Sequence, residues 1–331
     1  MIEATHLTKQ YGNANALFDV NFSIDKGEVV GFLGPNGAGK STTMNLLCGY
    51  LTPSWGQVKI AGIDMVENPL EAKRHIGYLP EIPPLYMDMT VAEQLEFACE
   101  LRGLKLKKPQ LRDYIDSLCA RTQVLDTRDR LIRNLSKGYR QRVGIAQALL
   151  GDPEVVILDE PTVGLDPKQI MEIRALIQSL GKDHTVILSS HILSEVQAVC
   201  QTILILSKGR LVACDTPENL EKRFAGTTTV ELTAEATAEE VRAILAPLDH
   251  ILEVTTREEP RGRCGVVLET DGEDALCREI FFAFSRAQKA LLRMTTAQTS
   301  LEEIFLELTA EAPVVQLPGE GQRQDGEEAE G

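Results

Sequence analysis

The stretch GPNGAGKST, Gly34–Thr42, gathers three glycines, a lysine and two hydroxyls within nine residues. Glycines let a backbone curl until successive N–H groups face one anion, and the pattern G-x-x-x-x-G-K-[ST] does this for a phosphate. Gly34, Gly37 and Gly39 are the glycines such a turn needs. Lys40 is spaced to reach β- and γ-phosphates, and Ser41 offers a hydroxyl to Mg²⁺. The pattern carries weight only between a strand and a helix. Val29–Leu33 is a short apolar run of buried-strand type, and TTMNLLCGYL follows with helical spacing. The context fits, so the residues read as a nucleotide site.

A second run, EVVILDEP, sets four apolar residues, Val155–Leu158, directly before Asp159 and Glu160. That is the pattern of a strand buried on both faces of a parallel sheet, with its carboxyl end on a ligand crevice. Asp159 is then placed to hold Mg²⁺ through water, and Glu160 to polarise a water for attack on a γ-phosphate. A third strand, TVILSSH, ends in His191, whose imidazole can reach the same crevice. The other histidines, His6, His75, His184 and His250, lack such a setting and read as surface or packing residues.

RNLSKGYRQR, Arg133–Arg142, is basic in an acidic chain. From the residues alone it reads as a solvated helix start, a nucleic-acid patch, or an anion site at a helix N-terminus. Ser136 is a good N-cap, Gly138 allows close backbone approach, and Val143, Ala146, Leu149 and Leu150 form an apolar stripe. Arg140 and Arg142 read as solvated or structural.

Composition bounds the rest. The 331 residues suggest about two domains, and the 43% hydrophobic content suits a globular protein with a real core. A formal net charge of −15 argues against bulk nucleic-acid binding. The seven cysteines are scattered, with no C-x-x-C pair, as expected of reduced thiols. The start MIEATHLTKQ shows no secretory h-region, and no run nears the roughly 18 apolar residues of a spanning helix.

Together these motifs resemble the nucleotide-binding subunit of an ABC transporter over roughly the first 220 residues. KQYG supplies Tyr11, the aromatic that stacks on adenine in that family. Gly34, Pro35, Asn36, Gly37, Ala38, Gly39, Lys40, Ser41 and Thr42 form its Walker A loop, VVILDEP its Walker B strand, GLDP its D-loop, and SSH carries its switch histidine. LSKGY resembles the family signature LSGGQ, with Lys137 for the first glycine of the pair and Tyr139 for the glutamine. The resemblance implies that two such subunits close head to tail on two ATP molecules. Ser136 and Gly138 would then donate to the γ-phosphate held by the partner chain, and Asp166 would cross to the opposite subunit. Catalysis is expected from Glu160, His191 and Lys40, and Mg²⁺ ligation from Ser41 and Asp159. In IGYLPEIPPLY, Glu81 stands where most relatives place a glutamine that touches Mg²⁺ and signals to the membrane partner; it is carried as the coupling position.

The resemblance implies an α/β fold: a RecA-like P-loop NTPase core over residues 1–222, with an ABC helical subdomain at about 82–150. Within it, KLKK followed by Pro109 reads as a break between helices. Residues 227–310 read as β-α-β-β-α-β, which resembles a small ferredoxin-like α+β domain of bracing or regulatory role, with Phe281, Phe282 and Phe284 in its core. Residues 311–331 hold six acids and one arginine and read as a disordered acidic tail.

The function implied is that of an ATPase with ATP and Mg²⁺ as its ligands, peripheral on the cytoplasmic face of the inner membrane. Its partners would be a separate polytopic permease, with export the direction of transport, and a second nucleotide-binding subunit, identical or different. No nucleic acid is expected. The alternative is a soluble ABC ATPase acting on DNA or the ribosome; a single cassette, no heptad run and the acidic balance disfavour it.

Overall fold

The computed structural model describes residues 1–224, 228–260, 262–270, 274–297 and 301–311. In chain order, β1 (Ile2–Tyr11) and β2 (Ala14–Ile24) form a hairpin, and β3 (Val29–Leu33) leads into α1 (Lys40–Leu47). β4 (Trp55–Ile60), β5 (Ile63–Asp64), α2 (Pro69–Ala72) and β6 (Ile76–Leu79) follow. Three helices come next: α3 (Val91–Leu101), α4 (Lys108–Arg121) and α5 (Lys137–Ala148). β7 (Val155–Asp159), α6 (Pro167–Leu180), β8 (Thr185–Ser190), α7 (Leu193–Val199), β9 (Thr202–Ser207), β10 (Arg210–Asp215) and α8 (Pro217–Phe224) complete this part.

β10-β9-β3-β8-β7-β6 make a six-stranded sheet, parallel except for the β9–β10 hairpin. Every residue of β3, β7 and β8 is buried, as their unbroken apolar runs require of strands covered on both faces. Alternate residues serve opposite faces: Val30, Phe32, Val155 and Ile157 join one core, Leu33, Val156 and Leu158 the other. The antiparallel sheet β2-β1-β4-β5 shares the first core. The helical stretch has its own small core, where Leu95, Ile115, Ile132 and Val143 meet. A reciprocal Thr90–Glu93 capping box starts α3, and Pro109 falls in the first turn of α4, where its missing N–H is no loss.

The later elements are β11 (Thr228–Ala234), α9 (Ala238–Leu245), β12 (Ile251–Glu259), β13 (Arg263–Thr270), α10 (Asp274–Arg286), β14 (Leu291–Ala297) and α11 (Leu301–Glu311). Their antiparallel sheet runs β12-β13-β11-β14, the strand order of a split β-α-β unit. Phe284 is fully buried there, but Phe281 and Phe282 are 53% and 54% exposed, which corrects the expectation of three core phenylalanines. Helical rotation explains it: Leu276, Ile280 and Phe284 repeat at i, i+4 and form the buried stripe, whereas Phe281 and Phe282 turn off it by about 100° and 200°.

α11 does not join that sheet. Leu301 enters a core of the six-stranded sheet beside Leu220, Phe305 and Leu308 pack against it, and Ser207 Oγ donates to the Thr309 carbonyl at 3.3 Å. Beyond Glu311 the acidic-tail reading lies outside the described residues.

Candidate active site

Strand register brings the loops together. Leu33 pairs with Ser190, Ser189 with Asp159, and Leu158 with Leu79. The chain therefore leaves β3, β8, β7 and β6 side by side at one edge, where a parallel sheet opens its ligand crevice.

The loop after β3 depends on its glycines. Gly37 and Gly39 have φ of +80° and +107°, which side-chain-bearing residues rarely adopt. A Cβ on Gly34 would stand 2.5 Å from the Leu206 carbonyl oxygen. Gly39 ends the loop as N-cap of α1 with no side chain capping the helix, so its first N–H groups stay open to an anion. Lys40 is only 6% exposed; its Nζ donates to the Gly34 carbonyl at 2.8 Å and lies 3.5 Å from Glu160 Oε1.

At the end of β7, Glu160 has φ +47°, a left-handed conformation that costs a non-glycine residue about 1–2 kcal/mol. It is held there: its N–H donates to Ser189 Oγ at 2.9 Å, and Ser189 Oγ donates to Asp159 Oδ1 at 2.5 Å. Glu160 Oε2 lies 3.0 Å from His191 Nδ1. Burial raises the Asp159 pKa above its ordinary value, and the charges of Glu160 and Glu81 push the same way, against hydrogen bonds from Ser189 and Ser41.

These groups border a cavity of about 560 Å³. Asn36, Gly37, Gly39, Lys40, Ser41 and Thr42 line one side. Glu81, Glu160, Val163 and His191 line another, and Ala16 closes the hairpin side. Gly34, Pro35 and Ala38 shape the turn without lining the cavity, and Asp159 lies buried behind Ser41. Tyr11 stands exposed at the hairpin tip under Lys9 Nζ and does not line it.

The donor set fits a magnesium nucleotide. Loop N–H groups and Lys40 suit phosphates, while the acids Asp159, Glu160 and Glu81 leave negative charge that a divalent cation would relieve. Among the described residues no group of three or more His, Cys, Asp or Glu could cage a metal. Mg²⁺ bound to a nucleotide needs no such cage, because phosphates and water fill most of its octahedron.

The basic segment lies elsewhere. Ser136 caps α5, its Oγ accepting from the Tyr139 N–H at 3.4 Å, and neither it nor Gly138 lines the cavity. Asp166 caps α6 by accepting from the Gln169 N–H at 2.9 Å, and the Gln169 side chain lies against Gly138. Lys137 Nζ reaches over Gly164. Ser136, Lys137 and Asp166 are all exposed. Arg142 is structural rather than solvated: it is buried and paired with Glu172, while Arg140 donates to the Ile132 and Arg133 carbonyls.

The ABC transporter family model matches residues 17–163. The bacitracin transport ATP-binding protein BcrA of Bacillus licheniformis is 39% identical over 67% of this chain and 72% of its own length. The linearmycin resistance ATP-binding protein LnrL of Bacillus subtilis is 31% identical over 93% of this chain and 98% of its own. This chain belongs to the ABC transporter family. Among solved structures, an ATP-binding subunit of an ABC transporter aligns with a TM-score of 0.60 at 32% identity, covering 68% of this chain and 93% of that one. A dimeric ATP-binding cassette in a post-hydrolysis state with ADP and Pi aligns at 0.59 and 26% identity, over 65% and 98%. The chain is thus an ABC ATP-binding protein with the family's α/β ATPase core.

In this ABC protein two polar links were not apparent from the motifs. Ser189 ties Asp159 to the Glu160 backbone. Buried Glu195 accepts from Thr162 Oγ1 and, at 3.2 Å, from Ser190 Oγ, joining the segments after β7 and β8 to α7. The two hydroxyls that end the apolar strand β8 were the available signal.

Proposed function

We propose that the chain is the ATP-hydrolysing subunit of an ABC exporter whose permease is a separate polytopic protein, and that it works on the cytoplasmic face of the membrane. The observation that carries this is the meeting of Lys40, Ser41, Glu160 and His191 around one cavity, with Asp159 buried behind Ser41. Phosphoryl transfer to water is mainly positioning and charge neutralisation, and each of these groups supplies part of that. Lys40 neutralises the γ-phosphate. Glu160 takes a proton from the attacking water, and His191, on the far oxygen of that carboxylate, orients it. Mg²⁺, held by Ser41, Asp159 and Glu81, would neutralise phosphate charge.

The exposed Ser136 and Asp166, with Gly138 buried against Gln169 and all three absent from the chain's own cavity, support head-to-tail closure in which this segment meets a partner's ATP. Export is supported by relatives named for bacitracin transport and linearmycin resistance. Among the described residues no helix is long and apolar enough to cross a membrane, in keeping with a separate permease. The test is Glu160→Gln: turnover should cease while ATP gathers two subunits into a stable dimer, and hydrolysis at the parent rate would reject the assignment. Co-purification from detergent-solubilised membranes should bring a polytopic protein in near-equal amount; ribosomal proteins or nucleic acid instead would favour the soluble alternative.

A further inference from the structure

Glu195 is a buried carboxylate that the chemistry described so far leaves unused. It stands in the first turn of α7, four residues past His191. Among the ion pairs of the described residues none includes it, so no cation offsets the cost of keeping a carboxylate out of water. Two hydroxyls do so instead: Thr162 Oγ1 donates to Glu195 Oε2, and Ser190 Oγ donates to the same oxygen at 3.2 Å. All three residues are buried, and an acceptor shared by two donors holds both in place.

Thr162 lies two residues past Glu160, and Ser190 is the residue before His191. Glu160 Oε2 in turn lies 3.0 Å from His191 Nδ1. These links close a ring, from Glu160 along the chain to Thr162, across Glu195 to Ser190, on to His191 and back to Glu160. Neighbouring contacts stiffen both arms. The Val163 N–H donates to the Glu160 carbonyl at 3.3 Å, and the Leu165 N–H to the Thr162 carbonyl at 3.2 Å. On the other arm the Ile192 N–H donates to Ser190 Oγ at 3.0 Å, so one hydroxyl spans the His191 backbone. The pairing of β7 with β8 ends at Asp159 and Ser189. Glu195 joins the two segments beyond that point, where strand register no longer holds them.

We infer that Glu195 is a positioning residue for ATP hydrolysis, setting the distance between Glu160 and His191 from outside the cavity, which it does not line. This role rests on those proposed above for Glu160 and His191. Without Glu195 the ring opens, the segments after β7 and β8 move independently, and His191 leaves the carboxylate that it orients. A misplacement of about 1 Å at a reacting group can cost about 10²-fold in rate, so a side chain remote from the attacking water acts at a measurable scale.

The experiment measures turnover and ATP affinity of the full chain with Mg²⁺. Glu195→Ala should lower kcat at least about tenfold, with ATP affinity within about twofold of the parent. Because Glu195 acts through His191, Glu195→Ala combined with His191→Ala should turn over no more slowly than His191→Ala alone. Independent damage to the fold would multiply the two losses instead. Thr162→Val removes one donor at nearly constant shape and should also slow turnover, whereas Thr162→Ser keeps the hydroxyl and should preserve it. That pair carries the test if Glu195→Ala does not fold. Glu195→Ala at the parent rate, a multiplied loss in the double variant, or equal rates for the two Thr162 variants would each overturn the inference. Failure of the underlying reading shows separately, as Glu160→Gln or His191→Ala hydrolysing at the parent rate.

Discussion

His191 Nδ1 lies 3.0 Å from Glu160 Oε2, while the other oxygen of that carboxylate lies 3.5 Å from Lys40 Nζ. One acid thus links the start of α1 to the segment after β8. A base oriented from one side and charge-balanced from the other has little freedom to turn from an attacking water.

His191→Ala removes that orientation while leaving the phosphate loop intact. The turnover number should fall by about 10²-fold, within the usual range for acid–base positioning, with little change in ATP affinity. Steady-state hydrolysis alongside equilibrium binding of a fluorescent ATP analogue separates the two effects.

Ser189→Ala deletes the hydroxyl that accepts from the Glu160 N–H and donates to Asp159. It leaves a buried N–H without a partner, at a cost of about 1–3 kcal/mol in stability. Turnover should also drop, because Glu160 would no longer be held at φ +47°. Thermal unfolding and hydrolysis assays on the same preparation check both.

Gly34→Ala drives a methyl group to 2.5 Å from the Leu206 backbone oxygen. The strand end cannot yield cheaply, so the loop must shift. ATP binding should weaken at least about tenfold while secondary structure survives, as titration and circular dichroism would record.

Asp159 carries a pKa raised first by burial. An acid with a raised folded-state value binds protons more tightly when folded, so its contribution to stability falls as pH rises from its ordinary value through the raised one. Asp159→Asn should therefore melt above the parent at neutral pH without added metal. The difference should vanish below the ordinary carboxylate value of about 3.9. The same variant should not hydrolyse ATP. Melting curves across this range, without Mg²⁺, provide the measurement.

Ile304 of α11 is fully buried. Ile304→Ala should cost about 2–5 kcal/mol, the usual range for emptying a core site. If α11 secures the ATPase core, the transition that buries Leu220 and Leu301 should move to lower denaturant concentration.

Much of the site was legible along the chain because its parts are local. A phosphate turn needs glycines within six residues and a helix immediately after, so Gly34–Lys40 could be read without the fold. Buried parallel strands need unbroken apolar runs, which exposed β3, β7 and β8 together with the acids and the histidine at their ends. Helix starts were equally local, as the Ser136 cap shows. Tertiary structure alone decided what depends on register and on long-range packing. The pairing of Ser189 with Asp159 arises because β7 and β8 lie side by side, not from anything near Ser189 in sequence. The position of α11 is of the same kind: its apolar stripe states that it must be covered, and only packing chose the six-stranded sheet over the nearer one. Phe281 and Phe282 mark the opposite case, where hydrophobic type suggested burial and helical rotation kept both rings in water.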